Sequence, residues 1–242
     1  MFLYGKNSVF ERLKSNPASI KKIFLQDSFN LPDDLEKIIR AKGISVERVS
    51  FKKLNKMKRA KDLQSIVAEV DQFIYTKFAD LLEISREKKL VLIFLDRVND
   101  PHNLGVIIRT LACFGGFALV IPKFEACQVN ETVLHVATGG ENYLPISLVV
   151  NLANAIREAK RNGWWIMGSD LSSQAQDIRK ISLPFPLGVV LGSEGEGIRY
   201  GVQKLVDIKA LIPMSRARLS FNVNIACAIF CYEITRQRKR LV

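Results

Sequence analysis

The sequence predicts an α/β fold with a mostly parallel sheet in its C-terminal part. Three observations lead there. Helical and strand patterns alternate through almost all of the 242 residues, as they do where strands and helices build common layers. Several strands are unbroken apolar runs, "LVLIFL" (90–95), "FALVIP" (117–122) and "LGVVLG" (187–192), and such runs suit parallel strands buried on both faces. Helix punctuation is also in place: Pro32 followed by Asp33, Asp34 and Glu36 opens one helix and Gly43 closes it, matching the terminal chemistry of helices.

Taken in order, the N-terminal unit reads as a helix from Lys6 to Lys14, a strand at 20–26, the helix from Pro32 to Gly43, and strands at 45–50 and 65–70. Between the last two lies "FKKLNKMKRAK", six basic residues and no acid, which serves either as a solvated surface or as a contact for phosphates. A polar helix at 78–89 separates this unit from a second start. We set the units at 1–75 and 89–242, joined by a linker at 76–88. The second unit alternates strands at 90–95, 117–122, 144–150, 164–169, 187–192 and 207–213 with helices at 103–114, 130–138, 151–162, 198–206 and 222–238. Ligands of such sheets gather at the carboxyl ends of the strands.

Hydrophobic content of 48% supports a sizeable core, and a net charge of +12, from 36 Lys and Arg against 24 Asp and Glu, favours a polyanionic partner. The apolar runs fall short of the ~20 residues that span a bilayer. The start "MFLYGKNSVFERLK" has no export signal, so the expected location is the cytoplasm. Cys113, Cys127, Cys227 and Cys231 lie in apolar stretches, as buried thiols rather than a disulfide framework. With only two histidines, both remote in sequence from the Cys227/Cys231 pair, a metal site is not expected.

Three loops carry the chemistry. In "DRVNDPHNLGVIIRTLACFGG" (96–116), Asn103 stands at the mouth of a helix with Arg109 nearly two turns on. Asn103 alone would pass for an N-cap and Arg109 for a surface residue, and His102, beside a proline turn, is more simply structural than a general base. In "VVLGSEGEGI" (189–198), glycines at 192, 195 and 197 allow a close backbone approach to a ligand. The spacing is neither a dinucleotide fingerprint nor a P-loop, which argues against an NTPase, and Glu194 is open between helix cap and catalytic carboxylate. In "ALIPMSRARLSFNVNIACAIF" (210–230), Ser220 and Asn222 open the last helix. One N-cap explains one of these polar residues and not all of them, Asn224 included.

In this order the loops resemble the three motifs of the SpoU (TrmH) family of RNA ribose 2′-O-methyltransferases in the SPOUT superfamily: "NDPHNLGVIIRT", "LGSEGEGI", and "IPM" followed by "SFNVNIACAI". The N-terminal unit, beginning "YGKNSVFERL", is similar to the L30e-like substrate-binding domain of several members. The pair is most like the RlmB-type ribosomal RNA enzymes. The resemblance implies a C-terminal deep trefoil knot, an exception to the rule against knotted chains, a homodimer, and S-adenosylmethionine as cofactor. It makes Arg109, Ser220, Asn222, Glu194 and Asn103 the catalytic candidates. Thr138, Gly139, Leu191, Gly192, Glu194, Ile212, Met214, Ser220 and Phe221 are the cofactor-binding candidates.

For RNA it implies Arg109 with Lys52, Lys53, Lys56, Lys58, Arg59 and Lys61, and the terminal "RQRKR" (236–240), as phosphate contacts. Phe24 and Phe51 read as core residues ahead of base-stacking ones. The chain departs from the family pattern at Asn224, where serine is usual, at Phe221, where leucine is usual, and at Arg216, where glycine is common. The expected substrate is a guanosine of large-subunit ribosomal RNA. The alternatives are a transfer RNA 2′-O-methyltransferase or a non-catalytic RNA-binding or ribosome-assembly factor on the same fold.

Overall fold

The structure is a computed structural model that describes residues 1–58, 63–193, 195–215 and 219–238. Arg59, Lys61, Glu194 and Arg216 lie outside the described residues, as does the stretch 239–242, which includes the end of the basic "RQRKR" run.

The N-terminal unit is β1 (Phe2–Tyr4), α1 (Lys6–Ser15), β2 (Ile20–Gln26), α2 (Asp33–Lys42), β3 (Ser45–Val49), α3 (Phe51–Met57) and β4 (Ile66–Val70). Its sheet runs β1-β4-β2-β3, with β4 antiparallel to both neighbours and β2 parallel to β3. Gly43 closes α2 in the left-handed region at φ 63°, where glycine carries no Cβ penalty. The basic run is helical over its first part. Ser50 caps α3 by accepting a hydrogen bond from the Lys53 amide, and Leu54 anchors the helix in the core.

The second unit comprises α4 (Phe78–Glu87), β5 (Val91–Asp96), α5 (Pro101–Phe114), β6 (Phe117–Pro122), α6 (Glu131–Ala137), β7 (Ile146–Val149), α7 (Leu152–Arg161), β8 (Trp165–Ser169), β9 (Gln176–Asp177), β10 (Leu187–Gly192), α8 (Tyr200–Gln203), β11 (Ile208–Leu211) and α9 (Val223–Arg238). Its sheet order is β7-β6-β5-β10-β8-β11-β9 and every pairing is parallel. Alternation along β5 explains its continuous apolar run: Val91, Ile93 and Leu95 join the core on one face, Leu92 and Phe94 that on the other. The segment expected as a linker is built into this unit, since Leu81 and Leu82 of α4 pack with Phe94 and Ala118. The helix expected at 198–206 is a single turn.

The two units share one continuous apolar cluster, with Leu3, Val9 and Leu13 in it beside Val133, Leu134 and Ala137, and polar contacts fix the junction. Arg12 of α1 donates to Glu141 at 2.6 Å, both side chains buried, and burial pushes the Glu141 carboxyl up although Arg12 pulls it down. The Tyr4 ring stacks on His135 at 4.1 Å. Lys58, expected on RNA, instead pairs with Glu131, whose other oxygen accepts from the Phe2 amide at 2.6 Å. Gly139 closes against α1, where a Cβ would lie 2.5 Å from Glu11 Cβ.

Candidate active site

At the carboxyl ends of β8, β10 and β11 lies a cavity of about 460 Å³, where a doubly wound sheet places its ligands. Three loops build it: Ser169 to Leu171 at the end of β8, Gly192, Ser193 and Gly195 to Ile198 at the end of β10, and Ile212 and Met214 after β11. Ser220, Phe221 and Val223 close it from the start of α9. Leu191, Gly192, Ile212, Met214, Ser220 and Phe221 therefore converge on one cavity from three separate stretches of sequence. Thr138 and Gly139 are not in its lining; they end α6 beside the N-terminal unit.

The loop after β10 folds back on itself. Ser193 bridges Gly197, with the Gly197 amide donating to the Ser193 carbonyl at 3.0 Å. Gly192 is glycine because this return crosses directly above it: a Cβ there would sit 2.1 Å from the Gly197 carbonyl carbon. The far end of the loop is held by the fully buried Asp96 of β5, which accepts from the Arg199 amide and Nε, each at 2.8 Å.

Asn103 does not cap its helix. Asp100 does, accepting from the His102 amide at 2.9 Å, because the helix begins at Pro101 and places Asn103 inside its first turn. There it is buried and accepts from Asn224 Nδ2 at 2.8 Å. Asn222 is the residue that caps α9, its Oδ1 accepting from the Asn224 amide at 3.0 Å. Asn224 thus ties α9 to α5. Replacing Asn224 with Ala removes this tie, and we expect a loss of about 1 kcal/mol, read as a fall of about 2–4 °C in Tm for a chain of this size.

Arg109 is exposed on α5 and is not in the cavity lining. Lys53 is drawn to Glu47 at 2.6 Å, whereas Lys52 and Lys56 are exposed. In the terminal run, Arg236 pairs with Glu233 at 2.6 Å and Arg238 donates to the Gly116 carbonyl at 2.9 Å, so these two arginines hold the fold. Phe24 is buried as expected, but Phe51 is 52% exposed.

Sequence reasoning missed Asp170, which lines the cavity. Burial would raise its carboxyl, but hydrogen bonds from Ser172 outweigh that and hold it low. Its signal was its place directly after an apolar strand. All four cysteines are free; Cys227 and Cys231 are buried as expected, whereas Cys113 is exposed and Cys127 half-buried, because their apolar neighbours turn inward and they do not. The described residues contain no group that could hold a metal ion.

The family of SpoU rRNA methylases matches residues 90–232, and the substrate-binding family of RNA 2′-O ribose methyltransferases matches residues 2–76. The 23S rRNA (guanosine-2′-O-)-methyltransferase RlmB of Coxiella burnetii is 35% identical over 242 residues, covering 98% of this chain and 96% of that protein. The RlmB of Neisseria meningitidis serogroup B is 34% identical, covering 98% and 95%. The SpoU methyltransferase AviRb from Streptomyces viridochromogenes, solved with AdoMet, superposes with a TM-score of 0.81 at 20% identity, covering 99% of this chain and 91% of that one. With both units matched along their length and residues of the second and third motifs lining one cavity, the chain belongs to the SpoU rRNA methylase family.

Proposed function

We propose that the protein methylates a ribose 2′-hydroxyl in RNA with S-adenosylmethionine, at a guanosine of large-subunit ribosomal RNA. The observation that carries this reading is the cavity itself, whose size suits a small-molecule cofactor and whose lining joins the second and third motifs. The residues present fit the cofactor: Leu191, Ile198, Ile212 and Phe221 offer apolar contact for a base, and Asp170 offers a carboxylate to a cationic ligand, while Glu196 is paired with Arg97. Bound there, S-adenosylmethionine supplies an electrophilic methyl group on a sulfonium.

The chain's own residues do the rest. Arg109 binds the phosphate beside the target nucleotide and stabilises the negative charge that develops on the attacking 2′-oxygen as its proton leaves. Ser220 and Asn222 orient the ribose, and Glu194 keeps the catalytic candidacy that its motif position gives it. A guanidinium carries only donors and no free lone pair, so it is not the proton acceptor, and the proton leaves through Ser220, phosphate or water. Lys52 and Lys56 add phosphate contacts from the N-terminal unit.

The same reading includes a C-terminal trefoil knot, a cytoplasmic location and a homodimer. Ile225 and Tyr232, two turns apart on α9, are exposed at 49% and 63% and form an apolar face suited to a second copy. A dimer also offers a route for Arg109 to reach a cavity whose lining, within one chain, does not include it. Among the described residues no helix is long and apolar enough to cross a membrane.

Incubation with labelled S-adenosylmethionine and undermethylated total RNA tests the function. Label at a 2′-O-methylguanosine of large-subunit RNA is the expected result. Label in transfer RNA alone moves the substrate, and cofactor binding without transfer leaves an assembly factor.

A further inference from the structure

The loop after β6 carries Phe124, which is 59% exposed although the loop around it is firmly anchored. Lys123 donates its amide to the Val149 carbonyl at 2.8 Å, and the Cys127 amide donates to the Val98 carbonyl at 2.9 Å. The Val129 amide donates to the Tyr75 hydroxyl at 2.8 Å. Glu125 pairs with Arg199 at 3.0 Å, and Arg199 in turn holds Asp96. That last chain of contacts joins the Phe124 loop to the loop lining the cavity. Lys123 Nζ lies 5.6 Å from the Phe124 ring centroid.

We infer that Phe124 is a stacking platform for a base of the RNA substrate flanking the target nucleotide, with Lys123 contacting the adjacent phosphate. The inference rests on the proposed RNA methylation. An anchored loop presents the ring without an ordering cost at binding, and a base stacked on an aromatic ring adds affinity without demanding a particular sequence. A lysine beside the ring places positive charge where the phosphate next to a stacked base would lie.

The test measures methyl transfer and RNA binding with undermethylated ribosomal RNA. Phe124→Ala is expected to raise KM for RNA about 10-fold or more, with affinity for S-adenosylmethionine unchanged. Phe124→Trp should retain binding, whereas Phe124→Leu should not restore it, since an apolar side chain without a π-face cannot stack. Lys123→Gln should reduce the slope of log affinity against log salt by about 1. An unchanged KM in Phe124→Ala, full rescue by Leu, or a change in sedimentation mass instead of RNA affinity would overturn the inference. Failure of the wild-type protein to methylate RNA would instead overturn the function on which it rests.

Discussion

Gly192→Ala is expected to weaken binding of S-adenosylmethionine by about 100-fold or more in isothermal titration, the loss of roughly 3 kcal/mol that overpacking of a close-packed site can cost. The added Cβ would meet the Gly197 carbonyl carbon at 2.1 Å, its oxygen at 2.4 Å and the Ile198 amide nitrogen at 2.4 Å. These are backbone atoms, so no side-chain rotation relieves the contact, and the whole return of the loop must move. That return lines the cavity. Gly195→Ala is the control, because a Cβ at Gly195 meets nothing within 4 Å. Equal cofactor affinity in the two variants would remove the loop from the binding site.

Arg109→Lys is expected to lower the rate of methyl transfer by about 100-fold, with cofactor affinity and Tm unchanged. The side chain is exposed, so its replacement disturbs no packing, and surface substitutions of that kind usually stay within about 0.5 kcal/mol. Lysine keeps the charge but loses the planar fork that grips a phosphate in two places. A single preorganised donor to developing charge is worth about 100- to 1,000-fold. Single-turnover rates at saturating RNA measure this directly, and a near-normal rate for Arg109→Lys would exclude the assigned role.

Much of the fold was legible because its signals are local. Apolar runs marked β5, β6 and β10, and Gly43 marked the end of α2. The helix expected at 198–206 is only Tyr200–Gln203, since that segment is held by Asp96 through Arg199 and not by its own periodicity. Lys58 and Arg238 were misread for a related reason. A basic run looks solvated until the chain brings Glu131 or the Gly116 carbonyl beside it.

By itself the sequence determined the α/β class, the order of the elements and the motif residues Leu191, Gly192, Ile212, Met214, Ser220 and Phe221. Only the tertiary structure decided that these six share one cavity, that Asn224 reaches Asn103 across 121 positions, and that Asp96 holds Arg199 across 103. The physical reason is the parallel sheet. Inserting β10 between β5 and β8 brings distant loops to one edge, and no local pattern of hydrophobicity or charge encodes which polar groups then meet.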